Sequence, residues 1–284
     1  MHVFEALILG LVQGLTEFLP ISSSAHIRVV GGLLPMGSEP GAAFTAIIQI
    51  GTEAAVLLYF RREIAGIVSS WVKSLYQRGQ RLNDQARMGW LIIIGSVPIV
   101  LFGLVFQDQI EDHLRNLWLV AVTLIVFAGL LYLADRHTTK RRHHAKQLND
   151  LTWTDGLLYG GAQALALIPG VSRSGATITA GLFMGYERAA AAKYSFLLAM
   201  PAVFGSGFYE AAKALGSQAA DPLPFPGWGP TLVAAGISFV VGYLVIIAFL
   251  KIVSTFSYKP FVYYRLGLGV LVMGLLAFGA LSAR

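Results

Sequence analysis

Glu17, the serine run Ser22, Ser23 and Ser24, and His26 fall within ten residues of one another in an apolar N-terminal stretch. A carboxylate, a hydroxyl and an imidazole at that range are the parts of phosphoryl transfer: the hydroxyl attacks while the other two move protons. Gln13 stands four residues before Glu17, so on a helix the two side chains share a face. The serines follow Pro20, and the functional reading is a helix N-terminus whose free N–H groups and hydroxyls hold or attack a phosphoryl group. Simple capping is the plainer reading of a serine there, although three serines followed by His26 exceed what a cap requires. His26 lies three residues after Ser23 on a neighbouring helical face and titrates near neutral pH; a satisfied structural histidine is the alternative.

A second cluster, Pro169-Gly170-Val171-Ser172-Arg173-Ser174-Gly175 with Thr177, has the composition of an anion-binding turn. Its glycines permit close backbone approach, Ser172, Ser174 and Thr177 offer hydroxyls, and Arg173 offers a planar cationic fork suited to phosphate. At membrane depth Arg173 requires an anionic partner, which is either Glu17 or a ligand. An internal Glu17 to Arg173 ion pair is the structural alternative. Gln49 and Glu53, in the first long apolar run, are candidates for the same polar cavity, a structural carboxyl being the other reading of Glu53.

The two clusters share a register. Gly10, Gln13, Leu15, Ser22 and Ser24 recur as Gly160, Gln163, Leu165, Ser172 and Ser174 at a constant offset of 150 positions, as a duplication would leave them. Pro20 and Pro169-Gly170 interrupt the segments 4–34 and 153–184, leaving helical pieces on the order of 14 residues, roughly 21 Å, too short to cross a bilayer. Both segments are therefore expected as re-entrant helical hairpins. Full spans are expected at about 42–60, 88–106, 117–135, 186–212, 231–251 and 261–282. The expected fold is an all-α polytopic membrane protein, six transmembrane helices plus two re-entrant hairpins in a single domain. Three spans per repeat invert the second copy, so repeat 1–150 and repeat 151–284 have opposite topology and their hairpin tips meet near the midplane.

Composition sets the solvent. Of 284 residues, 56% are hydrophobic and 13% charged, and the mean hydropathy is +0.66. No Cys is present, which excludes disulfides, thiolate metal sites and a cysteine nucleophile. The first segment carries Glu5, Gln13 and Glu17 and reads as functional structure rather than a removable signal peptide. The net charge of +6 is assigned to cytoplasmic loops, not to nucleic acid. Residues 61–87 (Arg61, Arg62, Lys73, Arg78, Arg81, Arg87) and 136–150 (Arg136, Lys140, Arg141, Arg142, Lys146) read as basic inside loops, whereas 107–116, with Asp108, Glu111 and Asp112 against Arg115, reads as outside. Tracing from these loops puts both termini outside. Trp118, Trp153, Trp228, Tyr243 and Tyr258 read as interfacial belt residues, and His143-His144 as part of a solvated basic run.

With Gln13-Gly-Leu-Thr-Glu17-Phe-Leu-Pro20-Ile-Ser-Ser23-Ser-Ala-His26 and Pro169 to Gly175 plus Thr177, the chain resembles the undecaprenyl pyrophosphate phosphatase family of bacterial membranes, the bacitracin-resistance proteins. The resemblance implies removal of one phosphate from a C55 isoprenyl diphosphate carrier in peptidoglycan lipid recycling, at a site open to the outer side of the plasma membrane, with Mg²⁺ or Ca²⁺. It assigns Glu17 as the essential acid, Ser23 as candidate nucleophile and His26 as proton-transfer residue. Arg173 with Ser172, Ser174, Gly175 and Thr177 forms the phosphate-binding turn, which Ser22 joins by its equivalent place in the first copy. Gln13 occupies a position often Glu in the family and Ala25 one often Gly, so a metal would lean on Glu17, with Gln13, and on the diphosphate itself. The implied partners are the prenyl diphosphate and membrane lipid, with room for a homodimer. Direct attack by water without a phosphoserine remains open, as does a transporter or flippase of an anionic lipid, since opposed broken helices also suit alternating access.

Overall fold

The computed structural model describes residues 1–35, 40–76, 82–106, 116–140, 145–216 and 225–282. The expectations placed on Asp108, Glu111, Asp112, Arg115, Arg78, Arg81, Arg141, Arg142 and His143-His144 lie outside these residues. Within them the chain is helical: α1 (Val3–Thr16), α2 (Ser23–Leu33), α3 (Ala42–Tyr59), α4 (Arg61–Tyr76), α5 (Asp84–Val105), α6 (Leu117–Lys140), α7 (Trp153–Ala164), α8 (Arg173–Phe183), α9 (Arg188–Gly216), α10 (Trp228–Thr255) and α11 (Lys259–Ala277).

Among the described residues five helices, α3, α5, α6, α10 and α11, are long and apolar enough to cross a membrane. The chain is a multi-pass membrane protein. The 29-residue α9 covers the span expected at 186–212, but it is less apolar than those five. It carries Arg188 and Lys193, whose charges are met by Asp135 at 2.6 Å and Glu63 at 2.7 Å. Much of its first half, from Ala190 to Ala199, is buried among other helices.

The stretch 61–87 was expected as a basic loop; the structure corrects this. Its first sixteen residues form α4, an amphipathic helix with Ile67 buried while Val68, Val72 and Tyr76 stay exposed. Ile67-Val68, Trp71-Val72 and Leu75-Tyr76 recur every four residues with two polar residues between pairs, a helical period rather than a loop composition. Tyr258 is a second correction, because it is fully buried, with its hydroxyl donating to the Arg188 carbonyl at 3.3 Å, and so belongs to the core. Trp118 and Trp153 are exposed on the surface.

The 150-residue offset recurs in the elements themselves. α1 and α7 begin at Val3 and Trp153, and α2 and α8 run from Ser23 to Leu33 and from Arg173 to Phe183, equal lengths at that offset. α1 packs along α10 and α7 along α5, while α3 packs on α9 and α6 on α11. The first two contacts are made through equivalent glycines. A Cβ on Gly10 would lie 2.5 Å from the Ala234 carbonyl oxygen, and one on Gly160 would lie 2.5 Å from that of Gly95. Helices in lipid gain little from hydrophobic burial, so backbone-to-backbone approach at small residues is what binds these short helices to their long neighbours.

Candidate active site

Two breaks in the chain make the site. α1 stops at Thr16 before Pro20, and α2 starts at Ser23 behind the N-cap Ser22; α7 and a short 3₁₀ turn stop before Pro169-Gly170, and α8 starts at Arg173 behind the N-cap Ser172. Ser22 and Ser172 have φ of 72° and 71°, the two non-glycine residues with positive φ among those described. That backbone costs on the order of 1–3 kcal/mol and persists where surroundings hold it, commonly at functional sites. Each cap hydroxyl accepts from the backbone N–H three residues on, Ala25 at 3.4 Å and Gly175 at 3.1 Å. Each also pairs with the serine two residues on, Ser22 with Ser24 at 3.1 Å and Ser172 with Ser174 at 3.2 Å. Capping is thus what Ser22 and Ser172 do. The residue that follows each cap, Ser23 in one copy and Arg173 in the other, opens its helix.

Glu17 is where the two tips meet. Its Oε2 accepts from the Ser23 hydroxyl at 2.6 Å and from Gln13 Nε2 at 2.7 Å, while Oε1 takes Arg173 Nη2. The same guanidinium nitrogen donates to Glu53 Oε1 at 3.0 Å, bringing in α3. Ser174 ties the tips further, donating to the carbonyl oxygens of Leu19 at 3.0 Å and Glu17 at 3.3 Å. The side chains of Glu17, Glu53 and Arg173 retain only 5%, 1% and 14% of their exposure, so their charges act in a poorly screened setting. Arg173 Nη1, Glu53 Oε2 and Gln13 Oε1 are buried without a hydrogen-bond partner among the described residues.

The other expected residues are placed differently. His26 makes no bond to Ser23 or Glu17: its Nδ1–H donates to the Ser22 carbonyl at 2.7 Å, and Nε2 accepts from the Tyr264 hydroxyl at 2.7 Å. Tyr264 is about half exposed, so His26 connects the serine turn to the protein surface. Thr177 is fully buried, its hydroxyl donating back to the Arg173 carbonyl at 2.8 Å and lying 2.6 Å from the Ser195 hydroxyl of α9. Gln49 is half-buried on α3, and its backbone carbonyl accepts from Thr52 at 2.8 Å. Gln163, the counterpart of Gln13, is buried with neither amide atom partnered among the described residues.

Sequence reading missed Arg265. It is fully buried on α11 and donates through Nη1 to the Pro20 carbonyl at 3.1 Å. Through Nη2 it donates to Gly170 and Val171, each at 3.0 Å, and through Nε to Leu124 at 3.2 Å. One guanidinium thus gathers carbonyls from both tips and from α6, which also holds the second tip through a 2.8 Å bond from Thr123 to the Pro169 carbonyl. The signal available was that Arg265 is the one charged residue in the apolar run 261–282.

A hydroxyl donating to a buried carboxylate, beside a cation with a free N–H edge and two helix N-termini, can attack phosphorus and hold the oxygens around it. Comparison with known proteins agrees in kind. The family model described as bacitracin resistance protein BacA matches residues 6–271. A protein named undecaprenyl-diphosphatase 2 from Agrobacterium fabrum is 58% identical over 279 residues, covering 98% of this chain and 97% of that one. Proteins named undecaprenyl-diphosphatase from Paenarthrobacter aurescens and Bifidobacterium longum subsp. infantis are 57% and 55% identical, each covering 100% of this chain and 100% and 97% of their own.

Proposed function

The chain belongs to the bacitracin resistance protein BacA family, and from that premise we propose that it hydrolyses undecaprenyl diphosphate in the bacterial plasma membrane to the lipid monophosphate and inorganic phosphate. The product is the lipid carrier that peptidoglycan synthesis reuses, and hydrolysis of its diphosphate is the basis of bacitracin resistance. The observation that carries the reaction is the 2.6 Å bond from Ser23 to Glu17, whose other oxygen takes Arg173.

In this reading the free Nη1 edge of Arg173 and the N-terminal N–H groups of α8 receive the terminal phosphate. Ser23 Oγ attacks the terminal phosphorus as Glu17 takes its proton; the bond to the bridging oxygen breaks and the prenyl monophosphate leaves. Water then cleaves the phosphoserine, releasing inorganic phosphate and returning the proton to Ser23. His26, bonded to Tyr264 and not to Ser23, passes protons between the serine turn and the hydroxyl of the half-exposed Tyr264, and the 2.7 Å contact supports that role. The implied divalent cation, Mg²⁺ or Ca²⁺, fits the oxygen donors of Glu17 and Gln13, the latter with a buried, unpartnered Oε1. When bound, it would neutralise charge on the diphosphate.

The finer architecture belongs to the same reading. α1–α2 and α7–α8 are two re-entrant hairpins, and α9 is the sixth crossing. The repeats are inverted, the site opens to the outer side, both termini are outside, and a homodimer is compatible with the exposed apolar flanks. The equal lengths and the 150-residue offset of the short helices support this arrangement. A flippase would need affinity for an anion but no hydroxyl seated on a carboxylate, so the Ser23 contact favours hydrolysis. Phosphate release by purified protein from a long-chain prenyl diphosphate tests the proposal; folded protein that binds the lipid and releases no phosphate would leave the flippase.

A further inference from the structure

The groups at the meeting point do not suit a diphosphate as they stand. Two acidic side chains, Glu17 and Glu53, share one guanidinium, Arg173, where a polyanion must enter. Arg265 lies close by, but Nε, Nη1 and Nη2 all donate to backbone carbonyls, so it does not bond either carboxyl group or offer an edge to a phosphate oxygen. A further cation would offset the remaining repulsion. The unused valences say what kind: Glu53 Oε2 and Gln13 Oε1 are buried and unpartnered, and both are hard oxygen donors. Gln13 Nε2 is fixed on Glu17 at 2.7 Å, so its oxygen is the free end. Among the described residues no three His, Asp or Glu side chains converge. A cation here would rest on two carboxylates, one amide oxygen and the substrate, the sparse arrangement Mg²⁺ commonly takes.

We propose that Glu53, arriving from α3, is the second carboxylate of a divalent-cation site with Glu17 and Gln13 Oε1, and that Arg173 competes with the cation for both carboxylates until a diphosphate draws the guanidinium away. Glu53 then does from a neighbouring helix what the neutral Gln13 cannot do from α1. The inference rests on the phosphatase reading but is measured apart from it.

The test is Mn²⁺ binding to purified full-length protein without substrate, followed by the electron paramagnetic resonance of free Mn²⁺. Glu53→Gln is expected to weaken binding by roughly tenfold or more. Gln13→Glu added to Glu53→Gln is expected to restore it. Arg173→Gln is expected to tighten binding, an effect that loss of a merely structural ion pair would not produce, and this arm stands even if Glu53→Gln fails to fold. Wild-type affinity in folded Glu53→Gln, or in Arg173→Gln, overturns the site. If phosphate release by the wild type persists in that case, the phosphatase stands and only the role of Glu53 falls.

Discussion

Ser23 and Glu17, six residues apart across the first chain break, are joined by a 2.6 Å hydrogen bond in which the hydroxyl donates to Oε2. The break at Pro20 makes that contact feasible, since Glu17 closes α1 and Ser23 opens α2. Arg173 on the other oxygen fixes the carboxylate, so that the lone pair facing Ser23 is held in place.

Glu17→Gln keeps the shape and removes the proton acceptor. The expected result is a fall in kcat on the order of 10²- to 10⁴-fold with a smaller change in KM. Steady-state phosphate release checks it, and a fall of only a fewfold would mean that Glu17 is not the base.

Arg265→Lys keeps a charge but cannot reach four carbonyls with one nitrogen. Leaving buried carbonyls unpaired costs about 1–3 kcal/mol each, so Arg265→Lys and Arg265→Gln should both lower the unfolding temperature and kcat. Full rescue by Lys would show that the charge, not the fork, is what the two tips need.

Gly10→Val and Gly160→Val push side chains into the Ala234 and Gly95 backbones, and each should destabilise by about 1–3 kcal/mol or more. Gly129→Ala is the control, because nothing lies within 4 Å of a Cβ there, and it should be neutral or stabilising by up to about 1 kcal/mol. Thermal unfolding in detergent distinguishes them.

Thr177→Val should lower stability by roughly 1 kcal/mol, because it removes the buried 2.6 Å bond to Ser195, and should leave KM within about twofold. A large rise in KM at unchanged stability would return Thr177 to the phosphate.

The site was largely legible because charge in an apolar chain must be answered. Glu17 and Arg173, each preceding or opening a broken helix at a shared register, could hardly avoid each other, and they meet. Glu53 was read equally as a structural or a functional carboxyl, because nothing in Gln49-Ile-Gly-Thr-Glu53 states which way α3 turns; the 3.0 Å bond from Arg173 shows that it turns toward the tips. The Thr177 contact with Ser195 was not legible, because nothing in the turn states that α9 packs beside it. Arg265 carried no motif, and its partners are backbone carbonyls, which a sequence does not advertise. The helix α4 was hidden by its own charge, since Arg61, Arg62 and Lys73 read as a loop to any measure that ignores period.

The most direct measurement uses a prenyl diphosphate labelled in its terminal phosphate, rapidly quenched during a single turnover and followed by peptide mass analysis. The account predicts transient label on Ser23, lost in Ser23→Ala together with phosphate release. Full phosphate release by folded Ser23→Ala would contradict it and give the attack to water.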